Sequence, residues 1–338
     1  MSVRFDTAAP GEGIEVKCSL ENGKALLEWY FHYENDDPGQ GYFVKLRMLD
    51  REGHPVLECF QQTKEEEPLQ SVLLHPFLWQ GTENPYLYRL EAAIYSQEGR
   101  QADRCVRLLS LYILEEIPGK GIMLNGEVFH PRTVRYELPE GIDTAEGQQC
   151  LVQDLQLIRE LGANGVYLEK TEGRNRAFAQ ICERLGLLVW SGVNSMQEEC
   201  GKTLLCEGKT GCLSWPGKNP ESLPRFREDL MRRNGTFTSQ YYKYRAKWSK
   251  TPFVYIVPES IRQQDNGSFS VSVYSNCKKV ALYSGGILYE FQSGREEFVF
   301  RGITVKGPCL VLTAEAEESA QSLSVHKTFT KSSLFHDI

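Results

Sequence analysis

The stretch that decides the fold lies between Gly121 and Gly192. It opens with "GIMLNGEVFHPRTVRYELPEGID" (121–143) and closes with "CLVQDLQLIRELGANGVYLEKTEGRNRAFAQICERLGLLVWSG" (150–192). "RTVRYE" (132–137) is a short β-branched run and reads as a strand. Asp143 then offers an N-cap, with Glu146 three residues on, the spacing of a capping box. Leu151, Leu155, Ile158 and Leu161 recur at helical spacing, and Gly162 closes that helix. "GVYLE" (165–169) is a second strand. A second helix carries Ala177, Phe178, Ile181, Cys182 and Leu185 on one face and stops at Gly186, and "LLVWS" (187–191) is a third strand. Strands alternating with amphipathic helices predict a parallel sheet with right-handed crossovers.

Toward the N-terminus the pattern changes. Residues 1–117 hold short alternating runs: "IEVKCSL", "KALLEWYFHY", "YFVKLRMLD", "HPVLECFQQ", "SVLLH", "YLYRLEAAIYS" and "VRLLSLYIL". Turn signals such as Asn22-Gly23, Asp36-Asp37-Pro38-Gly39 and Glu52-Gly53 separate them. Seven strands at this spacing fit an immunoglobulin-like β-sandwich. Toward the C-terminus, residues 192–224 are rich in Gly, Pro, Lys and Cys without a sustained period, and read as an irregular loop. From 231 the strand pattern returns and runs to the end, which predicts a second sandwich. The expected organisation is therefore 1–117 sandwich, 118–230 α/β segment with the loop 192–224, and 231–338 sandwich.

The chain has 338 residues and a formal net charge of -7, so no basic face invites a nucleic-acid partner. No apolar run reaches membrane-spanning length. The start "MSVRFDTAAPGEG" lacks an apolar signal core. Ten cysteines in such a context read as reduced thiols, and the expectation is a cytoplasmic protein. "CGKTLLCEGKTGC" (200–212) fails as a phosphate loop, because Thr203 stands where Gly is needed. Cys200, Cys206 and Cys212 are spaced too widely for a common zinc knuckle. No cofactor and no metal are expected.

Several stretches resemble family 2 glycoside hydrolases, the β-galactosidase and β-glucuronidase family. "LNGE" (124–127), "DLQLIRELGANGV" (154–166) and "FAQICERLGLLVW" (178–190) are similar in order and spacing to the start of that family's catalytic barrel. "HPFLWQGTENPYLYRLEAAIY" (75–95) resembles the sandwich that precedes the barrel, with Leu78, Trp79, Pro85, Leu87 and Tyr88 at matching positions; Trp79 is expected in packing rather than at a sugar. Tyr241, Tyr242, Tyr244, Trp248 and Pro252 match a segment that follows the barrel, while Tyr255 stands where the family often has His. The resemblance implies a truncated (β/α) TIM-barrel-like segment between two sandwiches. The interval from Gly121 to Arg225 is less than half of the about 250 residues that a closed eight-stranded barrel takes.

The positions that carry chemistry in the family differ here. Retaining glycosidases need two carboxylates flanking the bond. In the family the acid/base Glu follows an Asn near the end of the fourth strand and the nucleophile Glu ends the seventh. The barrel segment here has no Asn-Glu pair, and no room for a seventh strand. Glu137 and Glu169, each at an expected strand end, are the only carboxylates proposed as a substitute pair; the alternative is a solvated pair bridged by Arg135 and Lys170. Arg135, Tyr136, Lys170 and Trp190 would line a carbohydrate-binding cleft at those ends. His130 and Cys150 lack a third partner for a nucleophilic triad. The resemblance therefore implies a β-galactosidase-related protein without the catalytic pair, serving as a carbohydrate-related binding or assembly module. The alternative is an active glycosidase with a rebuilt or partner-completed site. Three strands from a barrel also need cover over Val134, Val166 and Val189. The candidates are the 192–224 stretch, the Tyr241–Tyr244 bridge, or a second copy in a homodimer.

Overall fold

The fold is that of a computed structural model. It describes residues 3–6, 13–35, 41–63, 67–139, 141–142, 144–168, 176–191, 212–214, 216, 219–305, 307–318 and 321–330. The chain is mostly β and divides into two compact units. One takes residues 1–133, 137–156 and 164–220; the other takes 134–136, 157–163 and 221–338.

In the first unit, strands Ile14–Glu21, Lys24–Phe31 and Leu69–Leu74 form one antiparallel sheet. Strands Pro55–Gln62, Tyr42–Leu49, Tyr88–Ser96 and Gln101–Leu109 form another, in that order. Their alternating side chains share one core that includes Val16, Leu27, Trp29, Val44, Leu46, Leu90 and Ile94. The Asn22-Gly23 signal is a two-residue hairpin turn with φ of 51° and 75°, the mirror-image turn that suits strand twist. The expected last strand over 106–114 is corrected: the strand starts at Gln101 and stops at Leu109. The apolar run continues past it because the connector is itself buried, at Ser110 and Leu111. Two short pairings escaped the pattern, Val3–Phe5 with Tyr33–Asn35 and Leu114–Ile117 with Gly121–Leu124.

The decisive stretch holds the expected order of strand, helix, strand, helix and strand. Strand β1 is Thr133–Tyr136, helix α1 Ala145–Glu160, strand β2 Gly165–Leu168, helix α2 Arg176–Leu185 and strand β3 Leu188–Ser191. Strands β2 and β3 are parallel, with Val166 opposite Val189 and Tyr167 opposite Trp190. Helix α1 buries Leu151, Leu155 and Ile158, and α2 buries Phe178 and Cys182. Asp143, the expected N-cap, lies outside the described residues. The Thr144 hydroxyl accepts from the Gly147 backbone N–H at 3.1 Å and donates to the Gly141 carbonyl at 2.7 Å. Gly162 ends the helix at φ 93°, where a Cβ would stand 2.4 Å from the Trp248 carbonyl carbon. Only glycine fits both the dihedral and that approach.

The loop expected over 192–224 is corrected at one point. Residues Cys212–Ser214 form strand β4, parallel to β3, with Val189 opposite Cys212. The sheet order is β1-β2-β3-β4. Three residues are too few to display a period, and the pairing is decided by the free edge of β3 rather than by local preference. Val134, Val166 and Val189 are buried within the single chain, at 0%, 0% and 6% exposure.

In the second unit a π-helical turn, Phe226–Leu230, leads to helix α3, Ser239–Trp248, where Thr238 caps Tyr241. Two sheets follow. Val254–Ile256, Phe269–Ser275, Arg262–Gln263 and Glu296–Ile303 form one; Ile287–Ser293, Lys279–Ser284, Cys309–Glu318 and Gln321–Thr330 form the other. They share a core that includes Val271, Val273, Val280, Leu282, Phe300 and Leu312. Rings tie the helix to this unit: Tyr241 stacks on Phe237 at 3.8 Å and Tyr242 on Tyr255 at 3.6 Å. Burial pushes the Tyr241 phenol up to about 12.

Candidate functional site

The sequence points to the C-terminal ends of the parallel strands, where barrel enzymes carry their chemistry. Glu137 is the first residue past β1 and is exposed. Arg135 is half-buried; its backbone N–H donates to the Pro224 carbonyl at 2.9 Å, and the strand bridges Arg225 in parallel. Tyr136 is 1% exposed, with its ring 6.2 Å from Phe226. Trp190 is 2% exposed and its indole crosses Gly165, where a Cβ would lie 2.5 Å from Nε1. Gly165 therefore makes room for Trp190 across the sheet. Glu169 and Lys170 lie outside the described residues, and with them the Glu137–Glu169 pair and the Lys170 side of the cleft. Cys200 and Cys206 lie outside too, as does the side chain of Cys212.

One carboxylate escaped the sequence reading. Strand β4 is followed by Asn219 and then a single 3-10 turn, Pro220–Ser222, whose Glu221 is exposed. Nothing local in the sequence marks this turn, because strand β4 before it is too short to show a period.

The motifs that carry the family resemblance hold backbone together. Asn125 and Gly126 form the two-residue turn of the hairpin joining Gly121–Leu124 to Glu127–Val128, at φ of 54° and 84°. The Asn125 carboxamide accepts from the Ile113 N–H at 2.9 Å and donates to the Trp79 carbonyl at 2.9 Å. Asn164, 5% exposed, accepts from the Arg132 N–H at 2.7 Å and donates to the His130 carbonyl at 2.9 Å. Its own backbone binds Arg132 and Leu188. Trp79 is 1% exposed, and its indole N–H donates to the Glu183 carbonyl at 2.9 Å. Beside these clamps lies a cavity of about 360 Å³, lined by Leu78, Gln80, Thr82, Glu83, Leu124, Asn125, Glu127, Val128, Phe129, His130, Arg132 and Asn164. Burial lowers the Arg132 guanidinium and the charge of Glu83 opposes that shift.

Among the described residues no group of three or more His, Cys, Asp or Glu side chains is placed to hold a metal ion. Among the described residues no disulfide joins one cysteine to another. Burial pushes the Cys59 thiol up to about 11, which makes it a poor nucleophile. No described helix is long and apolar enough to cross a membrane.

This arrangement of sheets and parallel strands is a fold found in glycosyl hydrolase family 2: a member from Bacteroides cellulosilyticus superposes over 97% of this chain and 64% of its own, with TM-score 0.65 and 15% identity. An FMN-binding β-glucuronidase from Facaelibacterium prausnitzii superposes over 96% of this chain and 75% of its own, with TM-score 0.74 and 16% identity. At these identities the likeness is one of fold. In sequence, the chain is 26% identical over 128 residues to a β-glucuronidase of Bacteroides fragilis, a match covering 38% of this chain and 18% of that protein. No family model matches the chain. The chain thus resembles a truncated family 2 glycoside hydrolase, and its curated relatives are β-glucuronidases, of which it spans under a fifth.

Proposed function

We propose that this chain is a β-galactosidase-related, family 2 glycosyl hydrolase-like protein without the catalytic carboxylate pair, acting as a carbohydrate-related binding or assembly module. On this reading the first and last parts are immunoglobulin-like sandwiches, and the parallel strands are the opening of a TIM barrel that was never completed. The observation that carries it is the short α/β segment. Four strands of one sheet, the last three of them parallel, are followed by the π-helical turn at Phe226, and too few residues lie between Gly121 and Arg225 for the remaining strand-helix units. Glycoside hydrolysis of this type needs an acid/base and an opposed nucleophile at fixed separation. The scaffold motifs are kept while the strand-end residues differ.

A second reading has one observation in its favour. Glu221 follows Asn219 shortly after the fourth strand, the region where the resemblance places an acid/base carboxylate. An active glycosidase with a rebuilt or partner-completed site would use it. A cyclitol aziridine, which a retaining nucleophile opens to form an ester, separates the readings. Intact mass after incubation stays that of the free protein on the first reading. A stoichiometric mass increase, lost on competition with the parent sugar, establishes the second.

A further inference from the structure

The cavity beside Asn164 sits at the N-terminal ends of the parallel strands, since Arg132 directly precedes β1 and Asn164 directly precedes β2. It lies at the end of the sheet opposite to Glu137 and Ser191, where the family resemblance would look for a substrate. Its walls are fixed. Asn164 holds the backbone on both sides of Pro131, and Asn125 holds the hairpin that carries Glu127. Side chains mounted on such clamped backbone are positioned before a ligand arrives, which lowers the ordering cost of binding.

The lining narrows the ligand. At about 360 Å³ the space is at the small end of ligand pockets. The lining carries one guanidinium, Arg132, and two carboxylates, Glu83 and Glu127, so it holds no net positive charge to attract a phosphate or a carboxylate. What it does hold is a set of polar groups on rigid walls, the guanidinium, two carboxylates and the Gln80 carboxamide. Together they supply both donors and acceptors, and a hydroxyl both donates and accepts. The half-buried ring of Phe129 offers an apolar wall for a C–H face.

We infer that this cavity is a binding site for a neutral polyhydroxylated molecule of monosaccharide size. The inference rests on the carbohydrate-binding reading above and gives that reading a location away from the strand C-terminal ends. Binding is a recognition event only, with no bond made or broken.

The test is titration calorimetry of the intact chain with a panel of neutral hexoses and the matching uronates. The variants are Glu127→Gln, Arg132→Gln and, as the control at the other end of the sheet, Glu137→Gln. Glu127 is an exposed residue of a hairpin, so its variant keeps the fold, and a thermal melt verifies this. The expected result is a neutral hexose that binds, with affinity falling at least tenfold in Glu127→Gln and Arg132→Gln and unchanged in Glu137→Gln. Binding that is lost in Glu137→Gln but kept in the two cavity variants overturns this location while leaving the binding-module reading intact. A preference for uronates overturns the ligand class. No binding by any sugar overturns the carbohydrate reading and this inference together.

Discussion

Replacing Asn164 with alanine tests the role assigned to the family-like motifs. The side chain is 5% exposed and satisfies two backbone groups, the Arg132 N–H at 2.7 Å and the His130 carbonyl at 2.9 Å. Alanine leaves both without their partner. A part-buried polar group stripped of its hydrogen bond costs about 1–3 kcal/mol. Two such groups therefore cost about 2–4 kcal/mol when their partial exposure is counted. With a urea slope near about 2 kcal/mol/M, the transition that reports on the first unit moves down by about 1–2 M. Tryptophan fluorescence follows it through Trp79 and Trp190, both buried in that unit. Hydrogen exchange adds a local reading, because the Arg132 amide loses its acceptor and should exchange faster than the amides of α1. Gln149→Ala, on the exposed face of α1, is the control and should change the stability by less than about 0.5 kcal/mol, with a correspondingly small midpoint shift. If Asn164→Ala shifts it no more than Gln149→Ala, and Arg132 exchange is unchanged, Asn164 is not a clamp and the reasoning fails.

Gly186→Ala should destabilise the first unit by more than the about 1–2 kcal/mol of a left-handed residue alone. Its φ is 79° and a Cβ would stand 2.3 Å from the Gly81 carbonyl oxygen, so urea unfolding should show a loss at least as large as that of Asn164→Ala. Val166→Asp should abolish soluble expression, since Val166 is fully buried and an unpaired carboxylate would enter the sheet core; a folded, soluble variant would mean the strand is exposed. Burial alone would raise the Glu259 carboxyl, but hydrogen bonds from Ser239 and from Arg232 outweigh it and hold the group below 4.5. Its depressed value stabilises the fold above pH 4.5 and is lost as pH falls through the folded value, so Glu259→Gln should flatten the acid limb of a stability-against-pH curve. Thiol titration of protein unfolded without reductant should count all ten cysteines, and a count near zero would reveal disulfides.

Much of the fold was legible because its signals are local. The alternation in Tyr42–Leu49, the Asn22-Gly23 turn, the Leu151–Leu161 periodicity and the closing Gly162 and Gly186 each act within a few residues. What escaped is decided by distant partners. Strand β4 exists because β3 offers an edge, and Gln101–Leu109 is bounded by its ladder with Tyr88–Ser96 rather than by its own apolar run. The same divide runs through the site. Asn125, Asn164 and Trp79 were visible as motif letters, but only the fold shows that each ties backbone to backbone. Trp190 and Tyr136, expected in a cleft at the strand ends, have buried rings, and a residue's place along a strand says nothing about which face it takes until the sheet is assembled.

The most direct test of the account is turnover itself. Purified protein should be incubated with aryl β-D-glucuronide and aryl β-D-galactoside, alongside Glu137→Gln, Glu169→Gln and Glu221→Gln. The account predicts release of the aryl group at the rate of buffer alone for all four proteins. Hydrolysis that survives purification and is abolished by any one of the three substitutions would contradict it.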